Sequence, residues 1–173
     1  LDDGSRGASS AAPSTDEEVR EYLNRRQNYI DELDRAAELV AGEFDPALRT
    51  LDALQDRLQE RHGIAVRLSD GDAGMVRKHR YDAQQQILWL PDTLTGGQRA
   101  FQMAAQISLL EHSDLIDALV LAAGLSGAAA QTSARLAFSN YFAGALLMPY
   151  QRFLQAAETR AYDIERLAHQ FGV

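Results

Sequence analysis

The densest group of side chains with a chemistry of its own is Arg77-Lys78-His79-Arg80-Tyr81. Three cations and a titratable ring packed this closely suit phosphate oxygens, which a guanidinium grips as a two-pronged fork. The run lies in a polar stretch, 74–81, that reads as a strand of the edge kind. Period-two alternation then puts Arg77, His79 and Tyr81 on one face and Lys78 and Arg80 on the other. Both faces cannot grip one ligand, and Arg77 with Tyr81 is the better set, a cation beside an aromatic ring. Arg49, on the preceding helix, is a second cation able to approach the same strand. The competing reading is an edge strand kept soluble by its charge, and the residue types leave both open.

Other chemistries find little support. The four histidines, His62, His79, His112 and His169, are spread without metal-ligand spacing and read as surface residues, and no Ser-His-Asp arrangement is arguable. With no cysteine in the chain, disulfides, thiolate zinc sites and iron–sulfur ligation by these residues are excluded. A net charge of −8 argues against the domain as a whole gripping nucleic acid, because phosphate contacts need a basic surface. No apolar stretch approaches the roughly 18 residues of a membrane span, and no signal-peptide layout opens the chain, so a cytoplasmic, membrane-free location is expected.

The elements that must position these groups are legible from pattern. Residues 1–13 are Gly, Ser and Ala with scattered charge and read as a disordered linker. Overlapping capping boxes at Ser14/Glu17 and Thr15/Glu18 predict a long helix, and residues 14–42 form a helical arm whose stripe, Val19 to Val40, is interrupted by Arg26. That arm docks on the body or on a partner copy. Asp45-Pro46 predicts the start of a second helix that closes at Gly63. Strands are expected at 64–68, 74–81 and 86–90. Then comes a helix apolar nearly all round, Thr95 to His112, regular from about Gln98 and therefore buried. Helices at 114–123 and 128–148, and two more beyond Pro149, complete an α+β layout: mostly helical, with a small three-stranded antiparallel sheet.

Two stretches in order carry a resemblance. Ser139-Asn140-Tyr141-Phe142-Ala143-Gly144-Ala145-Leu146-Leu147-Met148-Pro149 resembles the Ala-Asn-x-Phe-Ala-x-x-Leu-Leu-Met-Pro signature of the ImmA/IrrE-type metallopeptidase domain. Arg99, Phe101 and Ala104 match its Arg-x-Phe-x-x-Ala, and the likeness covers roughly Asp45 to Gly172. The resemblance also says what is lost. The two zinc-binding histidines of the family fall on Ala105 and Leu109, its general-base glutamate on Gln106, and its third ligand near Arg135 or Leu136. None of Ala, Gln and Leu at the helix positions holds zinc and activates water. A peptidase is therefore not expected, nor any metal in this chain.

The stretch Asn140 to Tyr150 and the tail Phe153 to Asp163 look more specifically like the actinobacterial XRE-type regulators of short-chain fatty acid metabolism, among them those of the propionate methylcitrate cycle and of acetate. The resemblance implies a fragment of a longer transcription factor: a DNA-binding helix-turn-helix before it, a cysteine-bearing domain with an iron–sulfur cluster after it, and in residues 45–173 an acyl-coenzyme A sensor, propionyl-CoA being the expected ligand. Its phosphates would fall to the cations read above: Arg77 with Tyr81 and Arg49, or Lys78 and Arg80 on the other face of the strand. An acyl pocket would occupy the vacated zinc cleft, at Phe101, Ala105, Leu109, Tyr141 and Phe142, with Met148 nearby. The second reading is a ligand-free dimerisation scaffold built on the arm, and homo-oligomers are expected in either case.

Overall fold

The computed structural model describes residues 15–45, 48–69 and 79–149. Among them the order is α1 (Thr15–Arg25), α2 (Asp31–Gly42), α3 (Thr50–His62), β1 (Ala65–Ser69), β2 (Arg80–Asp82), β3 (Ile87–Pro91), α4 (Gly96–Glu111), α5 (Ser113–Ala122) and α6 (Ala128–Leu147). The α+β class stands. The residues after Pro149, including the tail Phe153 to Asp163, lie outside the described part, as do Ser14 and Pro46.

The long N-terminal helix is in fact two. Gln27 and Asn28 take left-handed backbone angles, φ 54 and 56, and the Asn28 N–H closes α1 on the Leu23 carbonyl at 2.8 Å. Arg26, the residue that interrupts the apolar stripe, sits at this break, its guanidinium 5.5 Å from the Tyr22 ring and 3.0 Å from Glu32. A charged side chain at that point has no place in the core, so the chain turns and restarts. Val19 and Tyr22 of α1, with Leu33, Ala37, Val40 and Ala41 of α2, are buried in one core with Phe138, Phe142, Ala143 and Leu146 of α6.

α3 begins at Thr50 rather than at Asp45. Leu48 N–H bonds the Asp45 carbonyl at 3.1 Å in a separate turn, and Arg49, extended at φ −68 and ψ 147, is the residue from which the helix starts. Its end is as expected. Gly63 at φ 67 lets its own N–H reach Gln59 and that of Ile64 reach Leu58, each at 3.0 Å, a left-handed closure that a side chain would strain.

The sheet runs β1-β3-β2, and it is mixed rather than wholly antiparallel. β2 and β3 are joined by a tight turn in which Asp82 Oδ1 accepts the N–H groups of Gln84 and Gln85 at 3.0 and 3.1 Å, which forces them antiparallel. β1 pairs directly with β3 on the side away from β2, and the two run in the same direction, so that pair is parallel. β3 is central: Leu88 and Leu90 are fully buried and alternate with half-buried Ile87, Trp89 and Pro91.

α4 starts at Gly96, two residues ahead of expectation. A reciprocal capping box supplies the start that two glycines otherwise weaken: Gln98 N–H to Thr95 Oγ1 at 3.3 Å and Thr95 N–H to Gln98 Oε1 at 2.9 Å. Met103, Ala104 and Ile107 are then buried, as a helix apolar all round requires.

Candidate functional site

The site is built where α4 crosses α6. Small residues let the two backbones approach, and the polar atoms inside are closed off. Ser108 Oγ donates to the Ala105 carbonyl at 2.7 Å, Ser139 Oγ donates to the same carbonyl at 3.1 Å, and the two hydroxyls meet at 2.8 Å. Both serines are buried, and buried hydroxyls that found no partner would destabilise the crossing.

One turn along α4 from Ala105, Leu109 comes to the surface, 37 % exposed. It lines a concavity of about 520 Å³ with Ala129, Thr132, Ser133, Arg135 and Leu136 of α6 and with Thr15 and Asp16 of α1. The register derived from the resemblance put a lost zinc ligand on Leu109 and another near Arg135 or Leu136. The fold brings these positions to one hollow.

Most polar groups of that hollow are bonded internally. Thr132 Oγ1 donates to the Ala128 carbonyl at 2.9 Å, Ser133 Oγ to Asp16 Oδ1 at 2.8 Å, and Arg135 makes a two-pronged pair with Asp117, its Nη2 3.0 Å from Oδ2. What remains to meet a ligand is hydrocarbon from Leu109, Ala129 and Leu136, the last 57 % exposed. No histidine or acid stands at the helix positions, so the residues present do not fit zinc.

The other expected residues are placed differently. Ala105 lies behind Leu109 and is nearly buried, and Phe142 is fully buried against the His112 ring, centroids 4.9 Å apart. Tyr141 accepts the Ile30 N–H on its hydroxyl at 3.1 Å, tying α6 to the start of α2, a position with no side-chain cap of its own. Burial raises the pKa of that phenol. Phe101 is half-buried and packs on the core, and Met148 is exposed. Arg49 is exposed and pairs with Asp52 at 3.0 Å. Arg80 pairs with Asp82 at 3.4 Å, and Tyr81 donates to Gln86 at 3.3 Å. Arg77 and Lys78 lie outside the described residues.

A charged junction went unread in the sequence. Arg57 of α3, its side chain 6 % exposed, makes a two-pronged pair with Glu111 at 2.8 and 2.6 Å and reaches Glu43 at 2.8 Å. Arg61 also meets Glu43 at 2.6 Å, and His62 meets Glu111 at 2.9 Å. Burial by itself would raise the Glu111 carboxyl, but hydrogen bonds from Arg57 and His62 outweigh it and hold it low. Glu43 is held low by its bond from Arg57. For Arg57 burial works against the charge, and the two carboxylates reverse the sign, so it stays charged. The readable signal was Arg57 itself, three residues after Leu54 on the buried face of α3. His112 is likewise no surface residue: its Nε2 is buried with no hydrogen-bond partner among the described residues, and burial depresses its pKa.

Comparisons with known proteins give the chain its family. A family model described as the IrrE N-terminal-like domain matches residues 59–173. The HTH-type transcriptional regulator RamB of Mycobacterium tuberculosis is 40% identical over 174 residues, which is 99% of this chain and 36% of that protein. The regulator PrpR of the same organism is 40% identical over 94% of this chain and 34% of its own length. The propionyl-CoA carboxylase regulator of Cereibacter sphaeroides is 37% identical over 92% of this chain and 33% of its length. This chain thus spans about a third of the regulators it matches. A solved structure, a Mycobacterium tuberculosis transcriptional regulator, superposes with a TM-score of 0.84 at 40% identity, covering 93% of this chain and 49% of that one. By the match over residues 59–173, this chain belongs to the IrrE N-terminal-like domain family.

Proposed function

We propose that this domain is the ligand sensor of a transcriptional regulator, that its ligand is a short-chain acyl-coenzyme A, and that DNA is bound by a part of the protein outside this chain. The carrying observation is the apolar hollow at Leu109 and Leu136, on the positions where the family would hold zinc. Removing ligands from a hydrolytic cleft and leaving hydrocarbon in their place suits a small acyl group and ends water activation. Likeness to a propionyl-CoA carboxylase regulator, 37% identical, favours the propionyl thioester.

The phosphates need cations that are free to be taken. Arg49 and Arg80 face Asp52 and Asp82 in solvent-exposed pairs, and such pairs are worth about 0–1 kcal/mol, so a phosphate displaces the carboxylate at little cost. The same end of the ligand is completed from one face of the strand expected at 74–81, by Lys78 beside Arg80 or by Arg77 with Tyr81.

Binding of the ligand to one conformation in preference to another is what would pass the signal to a DNA-binding domain. Calorimetric titration with propionyl-CoA, acetyl-CoA and free coenzyme A tests the reading. One methylene buried in the hollow is worth about 0.8 kcal/mol, so propionyl-CoA binds roughly fourfold tighter than acetyl-CoA, and free coenzyme A binds weakest. Absence of binding by all three to folded protein removes the proposal.

A further inference from the structure

The outer face of the sheet carries a feature that the sequence hid, because its three members are far apart in the chain. Arg67 of β1 and Arg80 of β2 both pair in register with Trp89 of central β3. Leu88 and Leu90 point into the core, so Trp89 projects from the opposite face. Neighbouring strands are about 4.8 Å apart, which makes Arg67, Trp89 and Arg80 one row roughly 10 Å wide with the indole in its middle.

The row is accessible and its charge is available. Both arginines are exposed and Trp89 is half-buried. Arg67 makes no ion pair among the described residues, and Arg80 has the Asp82 pair at 3.4 Å with its side chain 53% exposed. Beside the row, Ile87 lies in register with Ala65 and with Asp82, the acid that Arg80 meets, and Pro91 lies in register with Ser69. On a chain of net charge −8 this is a basic island around an aromatic plane.

That combination has a specific partner chemistry. An indole face stacks on any purine, and a guanidinium on either side reaches phosphate oxygens that the base itself cannot supply. We propose that the Arg67–Trp89–Arg80 row is a binding platform for a purine nucleotide, with the base on the indole and the phosphates on the guanidinium groups. The platform shares Arg80 with the phosphate end of the acyl-coenzyme A reading, but Trp89 and Arg67 play no part in that reading, and the row is argued from the sheet rather than from the hollow at Leu109 and Leu136.

Trp89 is the one tryptophan of the chain, so its emission reports the site directly. Adenosine bisphosphate, titrated into the 173-residue chain and followed by fluorescence and calorimetry, gives a saturable change in emission. Arg67→Ala and Arg80→Ala, both at exposed positions, each weaken it by about five- to tenfold, and adenosine or inorganic phosphate alone binds less tightly than the bisphosphate. Neither heat nor an emission change with the bisphosphate, or binding that survives both arginine substitutions unaltered, overturns the proposal. Equal affinity for propionyl-CoA and free coenzyme A, with Trp89 responding to both, supports the platform and removes the acyl reading. Propionyl-CoA binding to which Trp89, Arg67 and Arg80 are all indifferent does the reverse.

Discussion

The hollow at Leu109 and the junction at Arg57 are both places where α4 meets its neighbours, and they are built on opposite principles. At the junction, charges are taken out of water and matched one against another until Arg57 has three oxygens of two carboxylates around it. At the hollow, apolar side chains face water with nothing over them among the described residues. The first arrangement is intolerant of loss and holds helices in place. The second is what a ligand can complete. Polarity alone would single out the acids and histidine of the junction, whose charged groups are spent on one another.

The contrast breaks most clearly at Glu111. Glu111→Ala leaves Arg57 in a nearly buried position with Glu43 alone, and is expected to cost about 3–5 kcal/mol of stability in a chemical denaturation curve, as loss of one partner of a buried pair does. A cost under about 1 kcal/mol would mean that Arg57 swings out to solvent and that the junction is not a fixed element.

Acid should act on the same region in two stages. The folded state binds a proton at His112 less readily than the unfolded chain does, since burial holds that imidazole below its ordinary 6.5. Its contribution to stability is therefore full above that value and is lost as pH falls through the folded one. Glu43 and Glu111, held below 4.5, contribute above that value and lose their effect on further acidification. Asp34, raised by burial, opposes this second loss. Denaturation midpoints should fall below about pH 6.5 and fall again below about 4.5, with His112→Phe abolishing the first stage only. A midpoint flat from neutral down to pH 5 would contradict the placement of His112.

The smallest effect on stability belongs to the hollow. Leu136→Ala removes hydrocarbon from a side chain already more than half exposed and is expected to change stability by no more than about 0.5 kcal/mol. A large loss would make Leu136 a core residue and the hollow an artefact of packing.

What was legible in the sequence follows from the range of the interactions involved. Local signals held: Gly63 ended α3, the all-round apolar pattern buried α4, and Ala128 began α6 as expected. Where a signal competed with one further away, it failed. Asp45-Pro46 is a good helix start, yet the helix waits until Thr50, and the arm that reads as one helix bends at the residue, Arg26, that could not be buried. The resemblance located the hollow because Leu109 and Leu136 occupy its ligand register. It could not say that Phe142 and Tyr141 are spent on packing and on the Ile30 amide. Pairings such as Arg57 with Glu111, or Arg67 and Arg80 with Trp89, exist only once strands and helices are assembled.

The central claim is that the hydrocarbon at the vacated ligand positions is what recognises the acyl group. Titration of propionyl-CoA into the intact chain and into Leu136→Asp, with both proteins checked for equal stability, addresses it directly. A carboxylate in that hollow must either lose its hydration or exclude the acyl group, so affinity is expected to fall about tenfold or more while free coenzyme A is bound as before. Equal affinity for propionyl-CoA in the two proteins would place the acyl group elsewhere and contradict the account.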